Sequence, residues 1–203
     1  DYACLALWGP KARAVLEKIT GDDVSNAAHP YLTTKLVSIN GAKVYAQRVS
    51  YAGELGWELY IPNNKATMAW DMLIESGREF GLEVGGYKVL DSLRLEKGYR
   101  YFTADITPSE TPYEAGLGFC VHLDKGDGST GSPCNFIGRD ALVKQKAEGV
   151  KRKLCTLVLT DGDDFTQIYG GEAVYHEGKV LTRVRSGGYG FTVKKNILYT
   201  YLP

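Results

Sequence analysis

The dipeptide Asn40-Gly41 lies between two stretches, Lys35–Ile39 and Ala42–Tyr51, that read as strands. Asparagine and glycine best tolerate the two consecutive positive φ angles of a type I′ turn, so the pair predicts a hairpin and commits this part of the chain to antiparallel sheet. Before it, Tyr2–Leu7 is an apolar, strand-like run ending at Gly9-Pro10. Pro10 stands where a helix can begin, because its missing N–H would be unsatisfied there in any case. Ala12, Val15, Leu16 and Ile19 follow at helical spacing, with Gly21 expected as the residue that closes the helix.

Beyond the hairpin, Tyr51-Ala52-Gly53-Glu54-Leu55-Gly56 breaks the strand and Trp57–Ile61 resumes it. Ala66, Ala69, Trp70, Leu73 and Ile74 then form one helical stripe that Gly81 stops, and Tyr87–Lys97 reads as a second helix ended by Gly98. Thr107–Pro112 is a loop, since each proline biases its predecessor away from helix. Leu117–Leu123 is expected as a strand and Arg139–Lys146 as a connecting helix. After Gly149 come Leu154–Thr160, Ala173–His176, Lys179–Arg185 and Ile197–Leu202, with Glu177-Gly178 as a turn. Short strands parted by glycine turns suggest the beginning of a small β-barrel. The pattern is α+β, with a division near 149 into residues 1–149 and 150–203.

Charge excludes some partners. With 24 Lys+Arg against 24 Asp+Glu the 203-residue chain is formally neutral, without the basic surplus of a nucleic-acid or membrane-surface binder. No apolar run approaches the roughly 20 residues of a membrane span, and the opening residues carry no signal-peptide pattern. Cys4, Cys120, Cys134 and Cys155 form no C-x-x-C pair, so buried, reduced thiols are expected and no metal site is. Cys120 and His122, two apart in the expected strand, lack the remaining ligands of a metal set.

Gly126–Gly131 spells G-x-G-x-x-G, yet no amphipathic helix opens after it, so a loop is expected rather than a dinucleotide site. The informative stretch is Ser50–Tyr60. Its glycines around a strand break would let backbone approach a ligand closely. On the resumed strand Glu58 and Tyr60 face away from Trp57 and Leu59. Glu58 is therefore either a solvated strand glutamate or a carboxylate able to accept paired N–H donors from a planar heterocycle. In Asp91–Arg100, Asp91, Arg94 and Glu96 are read as an ion-pair network at a helix end, with catalysis as the alternative.

Ser50–Tyr60, Ser92–Arg100, Thr111–Gly118 (TPYEAGLG) and Phe136–Leu142 (FIGRDAL) occur in one order. That series resembles the folate-binding aminomethyltransferase family, the glycine-cleavage T-protein fold. It is most similar to the branch forming the C-terminal half of dimethylglycine and sarcosine dehydrogenases or oxidases. The resemblance runs from Leu7 to Pro203 and implies a partial T-protein-like folate-binding domain followed by a truncated C-terminal barrel. It implies a tetrahydrofolate site in which Glu58 grips the 2-amino and N3–H edge of the pterin and Tyr51 lines the pocket. The implied partners are folate and a one-carbon unit from a small methylated amine; the neutral charge and short apolar runs argue against nucleic acid and membrane, and reduced cysteines fit a bacterial cytoplasm or mitochondrial matrix.

The sequence also departs from the family pattern. The family's catalytic aspartate lies in a segment N-terminal to Asp1, leaving the catalytic residues of this chain unassigned and the chain by itself expected to be inactive. FAD is expected only in an upstream domain outside these residues. Leu90 occupies the place of an arginine found in stand-alone glycine-cleavage T-proteins, which favours the dehydrogenase branch. The alternatives are a non-catalytic regulatory relative, like a regulatory subunit of pyruvate dehydrogenase phosphatase, and a glycine-cleavage aminomethyltransferase proper.

Overall fold

The computed structural model describes residues 1–126, 134–160 and 164–203. The chain packs as two compact units, Asp1–Lys97 and Gly98–Pro203. The G-x-G-x-x-G stretch lies, beyond Gly126, outside the described residues.

The first unit runs β1 (Tyr2–Trp8), α1 (Ala12–Ile19), β2 (Thr34–Ile39), β3 (Ala42–Gln47), β4 (Gly56–Pro62), α2 (Ala66–Gly77) and α3 (Tyr87–Glu96). Its antiparallel sheet has the order β1-β4-β3-β2. Asn40 at φ 45° and Gly41 at φ 75° make the expected hairpin turn between β2 and β3. Alternation decides which face is covered. Leu7, Val37, Ile39, Val44, Ala46, Trp57, Leu59 and Ile61 pack beneath the sheet with Val15, Leu16 and Ile19 of α1 and with Ala69 and Leu73 of α2. Helix α1 ends at Thr20 in extended conformation, its N–H donating to the Leu16 carbonyl. Gly21 therefore supplies no left-handed cap, in contrast to expectation. Gly81 at φ 73° does supply one, after a short 3-10 turn over Arg78–Phe80.

The second unit holds α4 (Arg139–Glu148) and β5 (Lys153–Val158), β6 (Ala173–His176), β7 (Lys179–Gly190) and β8 (Lys195–Leu202). The sheet order is β5-β8-β7-β6, all antiparallel. Strand β8 lies between β5 and β7, and Asn196–Tyr201 are buried on both of its faces. Glu177 at φ 51° and Gly178 at φ 76° turn β6 into β7, as predicted. Strand β7 runs on to Gly190, past the expected end at Arg185.

The expected strand over Leu117–Leu123 is instead a 3-10 turn at Gly118–Cys120, closed by bonds from Cys120 N–H to the Leu117 carbonyl and from Val121 N–H to the Gly118 carbonyl. A short apolar run carries no period that separates strand from turn. Here Gly116 at φ 70° and the Tyr113 ring packed on Gly118 bend the backbone.

A polar clamp holds the Tyr101–Glu114 segment within this unit. Thr107 donates through both N–H and hydroxyl to Glu110 Oε2, at 2.8 and 2.6 Å. Thr111 and Glu114 exchange reciprocal bonds in the manner of a capping box. Arg152 donates to Glu110 and Glu114, Arg185 reaches Glu110, and Ser186 donates to Asp105. Both guanidinium groups lie over the Tyr201 ring, at 5.1 and 5.2 Å from its centroid.

Candidate functional site

The sheet of the first unit has a second face, and Glu58 lies on it. Strand alternation buries Trp57, Leu59 and Ile61 completely and turns Glu58 and Tyr60 the other way, half-buried. The register sets Ala6 and Gln47 beside Glu58, and Cys4 and Tyr45 beside Tyr60. Tyr45 meets Tyr2 edge-on at 5.9 Å between ring centroids. The face therefore joins one carboxylate to a cluster of phenol rings, with a methyl group where a bulky neighbour would crowd the acid.

The polar groups on this face are linked. The Tyr60 hydroxyl donates to Glu58 Oε2 at 2.9 Å. That bond and the Glu58 charge push the Tyr60 phenol up to about 12. The thiol of Cys4, the cross-strand neighbour of Tyr60, is pushed up by partial burial first and by the Glu58 charge second, with Tyr60 acting the other way.

Tyr51 stands in the loop that precedes the strand, half-buried, rather than on the sheet face. Ser50 Oγ accepts the Ala52 and Glu54 N–H groups at 3.1 and 3.3 Å and so bends this loop. The glycines of the loop admit protein, not ligand. A Cβ on Gly53, at φ 71°, would lie 2.3 Å from Lys97 Cγ, and one on Gly56 would lie 2.1 Å from the Leu7 carbonyl oxygen and 2.6 Å from the Trp8 ring. Lys97 also pairs with Glu54 at 3.2 Å, so the end of α3 clasps the loop. Arg94 of α3 is buried and pairs with Asp91 at 3.3 Å, in keeping with a structural role.

Cys4 and Cys120 are exposed and Cys134 and Cys155 half-buried, all free, so the expectation of buried thiols is not met. Cys4 is on the outward side of β1, and Cys120 sits in the 3-10 turn. Among the described residues no three His, Cys, Asp or Glu side chains gather where a metal could be held, and no helix is long and apolar enough to cross a membrane. An apolar groove of about 650 Å³ runs between β1 and α2, lined by Leu5, Leu7, Val15, Trp70, Leu73 and Phe80 among others. Glu58 does not line it; its charged lining residues are Lys11 and Glu83.

The family model described as the GCVT N-terminal domain matches residues 1–125, and that of the glycine cleavage T-protein C-terminal barrel domain matches residues 152–203. The chain belongs to the glycine cleavage T-protein family. Within that family it is 38% identical over 202 residues to mitochondrial sarcosine dehydrogenase of Homo sapiens, all of this chain and 21% of that protein. It is 37% identical over 204 residues to mitochondrial dimethylglycine dehydrogenase of Mus musculus, all of this chain and 22% of that one. An aminomethyltransferase of Caldanaerobacter subterraneus subsp. tengcongensis is 38% identical over 193 residues, 95% of this chain and 48% of the relative. The crystal structure of glycine cleavage system aminomethyltransferase T from Bartonella henselae superposes with a TM-score of 0.80 at 26% identity, over all of this chain and 52% of that one. The chain thus spans about a fifth of the dehydrogenases it matches and about half of the aminomethyltransferases. These likenesses support the expected T-protein fold and the expected relationship to both branches.

Of the sheet-face neighbours, Tyr60 is legible in the sequence as the same-face partner of Glu58. Cys4 and Gln47 are not, because they arrive through pairing between strands that local periodicity leaves open.

Proposed function

We propose that this chain is the folate-binding part of a one-carbon transfer module, attached to an amine-oxidising flavoprotein of the sarcosine or dimethylglycine dehydrogenase kind. In this reading tetrahydrofolate is the acceptor, taking up the one-carbon unit released from an N-methyl amine as 5,10-methylenetetrahydrofolate. The observation that carries the reading is the Glu58 carboxylate on an open, phenol-rich sheet face. A carboxylate there matches the adjacent amino and ring N–H donors of a pterin edge, since its two oxygens offer about four acceptor sites and one is used by Tyr60. Glu58 binds and orients the ring, and Tyr51 closes the loop side of the pocket. FAD belongs to a separate part of the longer protein, and the general base to a segment outside these residues. The folate-binding part covers 1–149 and the barrel part 150–203. Relatives named as mitochondrial, together with bacterial aminomethyltransferases, support a mitochondrial matrix or bacterial cytoplasm.

Anaerobic calorimetric titration of the chain with tetrahydrofolate tests the reading. Saturable binding that weakens at least about tenfold in Glu58→Gln, the loss of one charge-assisted hydrogen-bonded pair, supports it. Unchanged affinity in that variant removes Glu58, and absence of binding by the wild-type chain overturns the reading. Glycine-cleavage aminomethyl transfer is the second reading, favoured by the 38% identity to the bacterial aminomethyltransferase and opposed by Leu90.

A further inference from the structure

Glutamate is a flexible ligand. On an open strand face it samples several rotamers, and freezing them on binding costs affinity unless the protein has already done so. In this chain a partner two residues along the same strand face has done so. Tyr60 donates to Glu58 Oε2 at 2.9 Å, and Cys4 on β1 is its cross-strand neighbour. The phenol's one proton is committed to the carboxylate, and Oε2 of Glu58 is tied to a residue on its own strand face.

We propose that Tyr60 is a positioning residue for Glu58, fixing the plane of its carboxylate so that Oε1 and the remaining lone pair of Oε2 meet the donors of the ligand together. The proposal rests on the reading of Glu58 as the folate-binding carboxylate. Tyr60 touches neither the reacting atoms nor, of necessity, the ligand; it acts through the residue that does. Tyr45 and Tyr2 wall the same face, and among the described residues Tyr60 alone of the three phenols bonds to Glu58.

The experiment combines tetrahydrofolate titration with NMR of tyrosine labelled at Cζ, the Tyr60 resonance being assigned by its loss in Tyr60→Phe. In the wild-type chain the Tyr60 phenol stays protonated near pH 11, about one unit above the ordinary tyrosine value, and Glu58→Gln returns it toward that value. Tyr60→Phe keeps the ring and its packing, leaves the melting temperature unchanged and weakens tetrahydrofolate binding about tenfold. A role in packing alone would not link the ionisation of Tyr60 to Glu58. If Tyr60→Phe binds as the wild type does while Glu58→Gln binds poorly, the positioning role is overturned and the folate reading stands. If Glu58→Gln binds as the wild type does, Glu58 is removed from the site and the positioning role falls with it; if the wild-type chain does not bind at all, the folate reading itself falls. Should Tyr60→Phe fail to fold, the wild-type titration decides: a Tyr60 that ionises at the ordinary value has no bond to Glu58, and the proposal is wrong.

Discussion

The indole N–H of Trp57 donates to Nδ1 of His29 at 3.2 Å, in a site where both side chains are fully buried. The other ring nitrogen, Nε2, lies 3.3 Å from the Thr33 carbonyl. Nδ1 therefore accepts and Nε2 carries the proton, which makes His29 a neutral imidazole of one defined tautomer. Burial, reinforced by Lys35 and Arg48, holds its pKa below the ordinary histidine value, against the raising effect of the Thr33 carbonyl.

That arrangement predicts an acid-side loss of stability. Above about pH 6.5 both folded and unfolded chains hold His29 neutral and it contributes no pH dependence. As the pH falls through that value the unfolded chain takes up a proton that the native chain refuses, so stability declines toward the depressed folded value. Urea unfolding followed by Trp57 fluorescence across pH 7 to 5 reads the slope. His29→Gln, which keeps one donor and one acceptor but cannot titrate, flattens it.

Glu110 is the keystone of the clamp in the second unit. Burial pushes its carboxyl up, but the two bonds from Thr107 and then the charges of Arg185 and Arg152 outweigh burial and hold it below the usual carboxylate range. The stability it contributes is present above about pH 4.3 and is lost as the pH falls through the lowered folded value. Glu110→Ala leaves Arg185 without its buried counter-charge and destabilises this unit by about 3 kcal/mol at neutral pH. Denaturant unfolding at pH 7 measures the cost, and a loss under about 1 kcal/mol would show that solvent replaces the carboxylate.

Two glycines separate crowding from backbone strain. Gly41, at φ 75° with open space around a virtual Cβ, pays only the left-handed penalty when it becomes alanine, about 1 kcal/mol. Gly56 lacks a positive φ, but its Cβ would enter the Leu7 carbonyl and the Trp8 ring. Gly56→Ala must shift strand backbone and costs more, about 2 to 3 kcal/mol. Parallel denaturation curves for the two variants rank them, and equal losses would refute the assignment.

Where sequence and structure agree, the cause is local. Asn40-Gly41 and Glu177-Gly178 each adopt two consecutive positive φ angles, which Asn40 and the two glycines accept readily and into which Gly178 draws Glu177. Trp57, Leu59 and Ile61 against Glu58 and Tyr60 follow from the two-residue period of a strand. Where they differ, the cause is distant. Nothing near Cys4 in the chain announces Tyr60, because β1 and β4 are brought together across more than fifty residues by their shared core face. The loop glycines read as room for a ligand until Lys97 and Trp8 occupy that room. The resemblance points to Tyr51 and Glu58, strand alternation sets Tyr60 on the face of Glu58, and only Cys4 needs the register between β1 and β4.

The clasp of Lys97 over Gly53 and Glu54 joins two segments that a linear reading keeps apart. Helix α3 cannot fray at its last turn without releasing the loop that carries Tyr51, and the loop cannot swing out without stripping Lys97 of both its packing and its counter-ion. The two segments form one cooperative unit, and the placement of the loop that carries Tyr51 is set in part by the thermal stability of a helix end.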